Sequence, residues 1–154
     1  MKKILWIIVF TMIMVNAKEG IDAKTYINSI HSQEIEAKEL YELIKKDDDD
    51  LYIVDIREPG QVGHGEIFHL NLVTITRGYL EFKIEKEIPN KNAEVVVYCC
   101  TGKRGNLAAD TLNKMGYTNV RSLKGGIVEW VSEGYPLDTV YGEVFLKDIK
   151  VPKL

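Results

Sequence analysis

Apolar residues recur along this chain in two rhythms. Continuous runs at Leu51-Tyr52-Ile53-Val54-Asp55 and Glu94-Val95-Val96-Val97-Tyr98 are β-branched and aromatic, and read as strands buried on both faces. Elsewhere the spacing is helical. Ala37 to Lys46 sets Leu40, Leu43 and Ile44 on one face, and Gly105 to Met115 turns Leu107, Ala108, Leu112 and Met115 inward before Gly116 stops it. Shorter signals fill the gaps. Glu34-Ile35-Glu36 alternates as a short edge strand, Glu58-Pro59-Gly60 begins a turn or short helix, and Leu70 to Ile75 reads as a strand. Tyr79 to Lys83 suggests a helical turn or two closed by Pro89-Asn90, Val120 to Leu123 is a strand, and Gly126 to Glu133 is a helix ended by Gly134 and Pro136. Strand and helix alternate through the middle. That order predicts an α/β fold, a parallel sheet of about five strands with helices on both faces. Sites in such sheets lie at the carboxyl ends of the strands. Asp55 and Cys99 both stand there, so one crevice could hold both.

The ends of the chain follow other rules. Lys2-Lys3, the apolar run Ile4 to Val15 and the small residues of Val15-Asn16-Ala17 form a signal-peptide pattern over residues 1–17, with cleavage expected after Ala17. This run of 12 residues, apolar apart from Thr11, is shorter than the about 20 that a membrane span needs. An uncleaved anchor is the runner-up, and the expected location is the periplasm or the exterior. Residues 18–33 form a polar lead-in, readable as a short helix or an irregular arm. Residues 34–137 are the expected domain, and residues 138–154 a tail of open structure.

Composition narrows the function. The 154 residues are 45% hydrophobic, enough for one core. The net charge of -3, which becomes -5 without Lys2 and Lys3, gives no support to nucleic-acid binding. Asp47-Asp48-Asp49-Asp50 reads as a solvated loop, and three scattered histidines make a poor metal set, with His31 expected in solvent. The two cysteines are neighbours. Across a trans peptide their Cα atoms are about 3.8 Å apart, too close for an unstrained bridge, so reactivity is the expected reason for keeping at least one.

Tyr98-Cys99-Cys100-Thr101-Gly102-Lys103-Arg104-Gly105 is the stretch that carries chemistry. A strand ends at Cys99, a short glycine- and cation-containing loop follows, and a helix begins after it. Free backbone N–H groups and the helix dipole favour negative charge there. A thiol so placed is expected to be a thiolate, the nucleophilic form, with a pKa brought from about 8.5 into a range of roughly 3.5–7.5. Gly102 and Gly105 read as backbone necessities of a tight anion loop, and Lys103 with Arg104 gives a positive mouth for a small anionic sulfur donor. His64 or His69 could fold in as a base, although amide and dipole stabilisation makes one unnecessary.

Several segments together resemble the rhodanese-like sulfurtransferase family: Val54-Asp55-Ile56-Arg57-Glu58, Arg77-Gly78-Tyr79-Leu80-Glu81-Phe82, the cysteine loop, Leu123-Lys124-Gly125-Gly126-Ile127-Val128-Glu129-Trp130 and Glu133-Gly134-Tyr135-Pro136. With the leader, the chain looks like the small exported single-domain rhodaneses of the phage-shock type. The resemblance spans Ile35 to Pro136 and implies a persulfide mechanism without a cofactor. Cys99 would take sulfane sulfur from a donor such as thiosulfate and pass it to a thiophilic acceptor, a small molecule or a protein thiol, with cyanide as the test acceptor. Cys100, Thr101, Gly102, Lys103, Arg104 and Gly105 would form the substrate loop, with Asp55 and Arg77 behind it. Cys99 to Arg104 spans five positions, one fewer than in the phosphatases of the Cdc25 kind within the same resemblance.

Other roles remain beside these. Asp55 either orients the loop or caps the turn after its strand. Arg57 and Glu58 are expected to pair with each other, Arg77 sits at the cleft or on the surface, and Tyr98 and Trp130 belong to the core. Cys100 is a tolerated small side chain or a resolving thiol, the first being preferred because a vicinal ring would distort the loop. Two rival functions stand against sulfur transfer: a thiol redox protein using Cys99-Cys100, and a noncatalytic binding module of the same fold. Family members carry Gly-His-Ile and then Gly-Ala before the third strand, whereas this chain reads Gly63-His64-Gly65-Glu66-Ile67-Phe68-His69-Leu70.

Overall fold

The computed structural model describes residues 20–46 and 49–146. The leader and the last eight residues therefore lie outside the described residues. Five parallel strands form the sheet: β1 (Gln33–Ile35), β2 (Leu51–Asp55), β3 (Leu72–Thr74), β4 (Glu94–Tyr98) and β5 (Asn119–Leu123), in spatial order β1-β5-β4-β2-β3. The expected α/β architecture is observed, with β1 at an edge. β4 and β2 occupy the centre, where a strand must be apolar on both faces.

Side-chain alternation divides the core in two. Val95, Val97 and Cys99 face one layer, packed against α4 (Leu80–Glu87) and α5 (Lys103–Lys114) through Leu80, Ile84, Ala108, Ala109 and Leu112. Val96 and Tyr98 face the other, where α2 (Ala37–Lys46) and α6 (Gly126–Ser132) supply Leu40, Ile127 and Trp130. Tyr41, Trp130 and Tyr135 stack there with ring centroids 4.8–6.0 Å apart, and the Trp130 indole donates to the carbonyl of Pro136 at 2.7 Å. Trp130 and Tyr98 are thus core residues.

Several boundaries differ from the sequence reading. The lead-in contains α1 (Ala23–Asn28), capped by Asp22, whose carboxylate accepts from the Thr25 backbone and hydroxyl at 3.0 and 2.7 Å. The expected strand from Leu70 shrinks to β3, because Leu70 is exposed and Asn71 is turned away to bind the carbonyls of Asp49 and Leu51. A 3-10 turn over Arg77–Tyr79 leads into α4, which runs on to Glu87. The tail opens as a hairpin, β6 (Leu137–Thr139) and β7 (Gly142–Val144), tied to the main body by paired backbone bonds between Glu66 and Asp138. A boundary between residues 137 and 138 cuts through this hairpin, since Leu137 is buried and pairs with Val144.

Candidate active site

β2 and β4 are adjacent and in register, Asp55 beside Tyr98, so the next residues along each chain emerge at one end of the sheet. Cys99 is the first residue past β4. It is 1% exposed and packs in the apolar layer under α5. Cys100 is half-buried, and its Sγ lies 3.7 Å from Nη2 of Arg104. The two thiols therefore occupy different surroundings, one recessed and the other beside a cation.

α5 begins at Lys103, two residues before the start expected at Gly105, with Gly102 as its cap at φ +81°. Lys103, Arg104 and Gly105 are consequently its first turn, where N–H groups have no intrahelical acceptor. Gly105 is a helix residue for a packing reason. A Cβ there would stand 2.6 Å from Oγ of buried Ser122 on β5. Gly102 is needed for its backbone conformation, and a side chain there would also crowd the Gly125 amide. Thr101 and Lys103 are exposed.

The floor of the loop is the start of α6. The amides of Ile127 and Val128 donate to the carbonyls of Cys99 and Cys100 at 2.9 and 3.1 Å, which fixes the peptide joining the cysteines. Gly126, at φ +61°, allows this approach, because any Cβ there would run into that same peptide. The sequence reading missed this clamp. Its only signal was the paired glycine after Leu123-Lys124.

Asp55 does not line an open crevice beside Cys99. It is fully buried and accepts from Nε and Nη2 of Arg57 at 2.9 and 2.6 Å, from the Arg57 amide at 2.9 Å and from the Tyr98 hydroxyl at 2.8 Å. Arg57 thus pairs with Asp55, correcting the expected pair with Glu58. Burial opposes the Arg57 charge, but the Asp55 carboxylate outweighs it and holds the guanidinium above its ordinary pKa. Burial, then the Asp55 charge, pushes the Tyr98 phenol far up. Arg57 also donates to the carbonyls of Gln61 and Gly65, at 3.1 and 2.8 Å, and so pins the last turn of α3 (Pro59–Val62) and the turn that follows it. Asp55 acts on the loop at a distance: it holds Arg57, Arg57 holds α3, and Gln61 of α3 accepts from Nη2 of Arg104 at 3.1 Å.

Two other candidates fall away from the loop. Arg77 is occupied by Glu81 at 2.8 Å and the Thr111 hydroxyl at 3.1 Å, along the outer flank of α5. His69 is buried before β3, where its Nδ1 accepts from the Asn71 amide, so it stands at the amino end of the sheet, opposite the cysteines. His64 is exposed after α3. Between α3 and β3, Gly65 takes φ +120°, Ile67 is buried and Glu66 is half-buried.

The rhodanese-like domain family matches residues 36–133, which include four strands of the sheet, the cysteine loop and α6. The chain belongs to that family. It is 34% identical over 96 residues to a sulfurtransferase of Allochromatium vinosum, covering 59% of this chain and 81% of that protein. It is 27% identical over 138 residues to the thiosulfate:glutathione sulfurtransferase of Saccharomyces cerevisiae, covering 79% and 93% of the two chains. Among solved structures, the polysulfide-sulfur transferase homodimer of Wolinella succinogenes superposes with a TM-score of 0.65 at 27% identity, over 74% of this chain and 85% of that one. These relatives support sulfur transfer as the general class of activity.

Proposed function

We propose that this chain is a thiosulfate-type sulfurtransferase working through a persulfide on Cys99. The Cys99 thiolate attacks the outer sulfur of thiosulfate, the S–S bond breaks, and sulfite leaves with the bonding pair. A thiophilic acceptor then attacks the outer sulfur of the persulfide. Cyanide becomes thiocyanate, or a thiolate becomes a persulfide, and the Cys99 thiolate returns. The cycle balances without a metal or cofactor. The observation that carries this reading is the loop itself. Cys99 directly follows the central strand β4, Arg104 stands five positions on in the first turn of α5, and α6 holds the carbonyls of Cys99 and Cys100.

The same clamp argues against the redox alternative. A vicinal disulfide needs its peptide to rearrange, and both flanking carbonyls are already held by α6. Arg104 is the proposed donor anchor, because a guanidinium offers two parallel N–H bonds to an oxyanion. Lys103 contributes an exposed charge at the mouth. A low-molecular-weight thiol is the proposed acceptor, in keeping with the yeast relative's name. Residues 1–17 are proposed to direct export of a single-domain rhodanese of the phage-shock type, with the mature protein starting at Lys18. Sulfite release from thiosulfate, followed with cyanide and with glutathione as acceptors, tests the reaction. Turnover with both supports it, and turnover with neither refutes it.

A further inference from the structure

The guanidinium of Arg104 is already engaged. Its Nη2 donates to Oε1 of Gln61 at 3.1 Å and lies 3.7 Å from Cys100 Sγ. Its Nη1 lies 3.9 Å from a carboxylate oxygen of Glu58, and both side chains are partly open to solvent. Glu58 and Gln61 are joined as well, the Glu58 amide donating to Gln61 Oε1 at 3.2 Å. Their placement is fixed from beneath, since Arg57 binds the Gln61 carbonyl and is held by buried Asp55. A negative charge and a neutral acceptor therefore stand, in defined positions, at the cation that an anionic donor must use.

We propose that Glu58 and Gln61 are specificity-determining residues. They weaken the hold of the loop on doubly negative donors and bias it toward donors of lower charge, such as thiol persulfides. The proposal rests on Arg104 being the donor anchor. The donor's oxygens must displace Gln61 from Nη2 and approach a carboxylate near Nη1. The repulsion from Glu58 grows in proportion to the ligand's charge, so a dianion suffers about twice the penalty of a monoanion. Gln61 adds no charge, so it leaves the anchor cationic while occupying one of its donors.

Binding to a Cys99→Ser background separates this from turnover. Thiosulfate and the monoanion thiocyanate serve as probes, titrated by calorimetry at low and high salt, with melting curves to verify folding. Glu58→Gln keeps the side-chain shape and removes the charge. It should tighten thiosulfate about two- to fivefold at low salt, the range of an exposed charge pair. Thiocyanate should tighten by only the square root of that factor. Gln61→Glu accepts the same hydrogen bonds and adds a charge, so it should weaken thiosulfate by a comparable factor. Both shifts should shrink in high salt. Equal thiosulfate affinity in all three proteins, equal shifts for the two anions, or no thiosulfate binding to the parent would overturn the proposal. Whether the intact thiol takes up sulfur is a separate result and decides only the sulfur-transfer reading.

Discussion

Gly126→Ala is the substitution that most sharply probes the clamp beneath the cysteine loop. The added Cβ would lie 2.7 Å from the carbonyl carbon and oxygen of Cys100, and nearer still to the carbonyl oxygen of Cys99. All of these are backbone atoms, so no rotamer change relieves them. Ordinary contact begins at 3.4 Å, so α6 and the loop must part by roughly 1 Å. The left-handed φ of +61° costs an alanine about 1–2 kcal/mol. Stretching the bonds from Ile127 and Val128 forfeits up to about 0.5–1.5 kcal/mol each. Together these predict a loss of about 2–5 kcal/mol, or a melting point lower by about 5–20 °C. Misplacing a reacting atom by about 1 Å costs about a hundredfold in rate, so single-turnover sulfite release should fall by about ten- to a hundredfold. Gly60→Ala is the control. No heavy atom lies within 4 Å of its Cβ, and it should be neutral or stabilising by up to about 1 kcal/mol. A Gly126→Ala protein with the parental melting point and a sulfite-release rate within about twofold of the parent would refute the reasoning.

Two further outcomes are expected. Asp55→Asn leaves the buried Arg57 charge without its carboxylate and should cost about 3–5 kcal/mol by urea unfolding; a change under about 1 kcal/mol would show that the pair does not hold α3. Glu66 is held above its ordinary pKa by burial first, then by Asp55 and Asp138, against an opposing pull from Arg57. The folded chain therefore keeps this proton to higher pH than the unfolded chain, and stability falls as pH rises through the window above about 4.3. Glu66→Gln should match the parent below that window and be the more stable above it. Melting points that run parallel from about pH 4 to 7 would contradict the assignment.

The sheet was legible because its central strands must be apolar on both faces, and Leu51–Asp55 and Glu94–Tyr98 have that composition. Helix α1 was not, since none of its residues is buried and only its Asp22 cap marks it. The hairpin after Pro136 hid for a related reason, with Val140 and Tyr141 exposed at its tip. In the site, the loop from Cys99 to Arg104 could be read from spacing, because the strand end and helix start are local signals. The Asp55–Arg57 pair could not. In the sequence Arg57 has Glu58 as its neighbouring carboxylate, and only the turn after β2 folds its guanidinium back onto Asp55. Gly105 shows the same limit, read as a loop glycine when Ser122, far away in sequence, is what excludes its side chain.

The central claim is that Cys99, and not Cys100, carries sulfur through the reaction. Intact mass of the parent, Cys99→Ser and Cys100→Ser proteins after thiosulfate treatment tests it most directly. We predict one added sulfur on the parent and on Cys100→Ser, and none on Cys99→Ser. An added sulfur on Cys99→Ser with none on Cys100→Ser would place the nucleophile on the half-buried thiol beside Arg104 and contradict the mechanism.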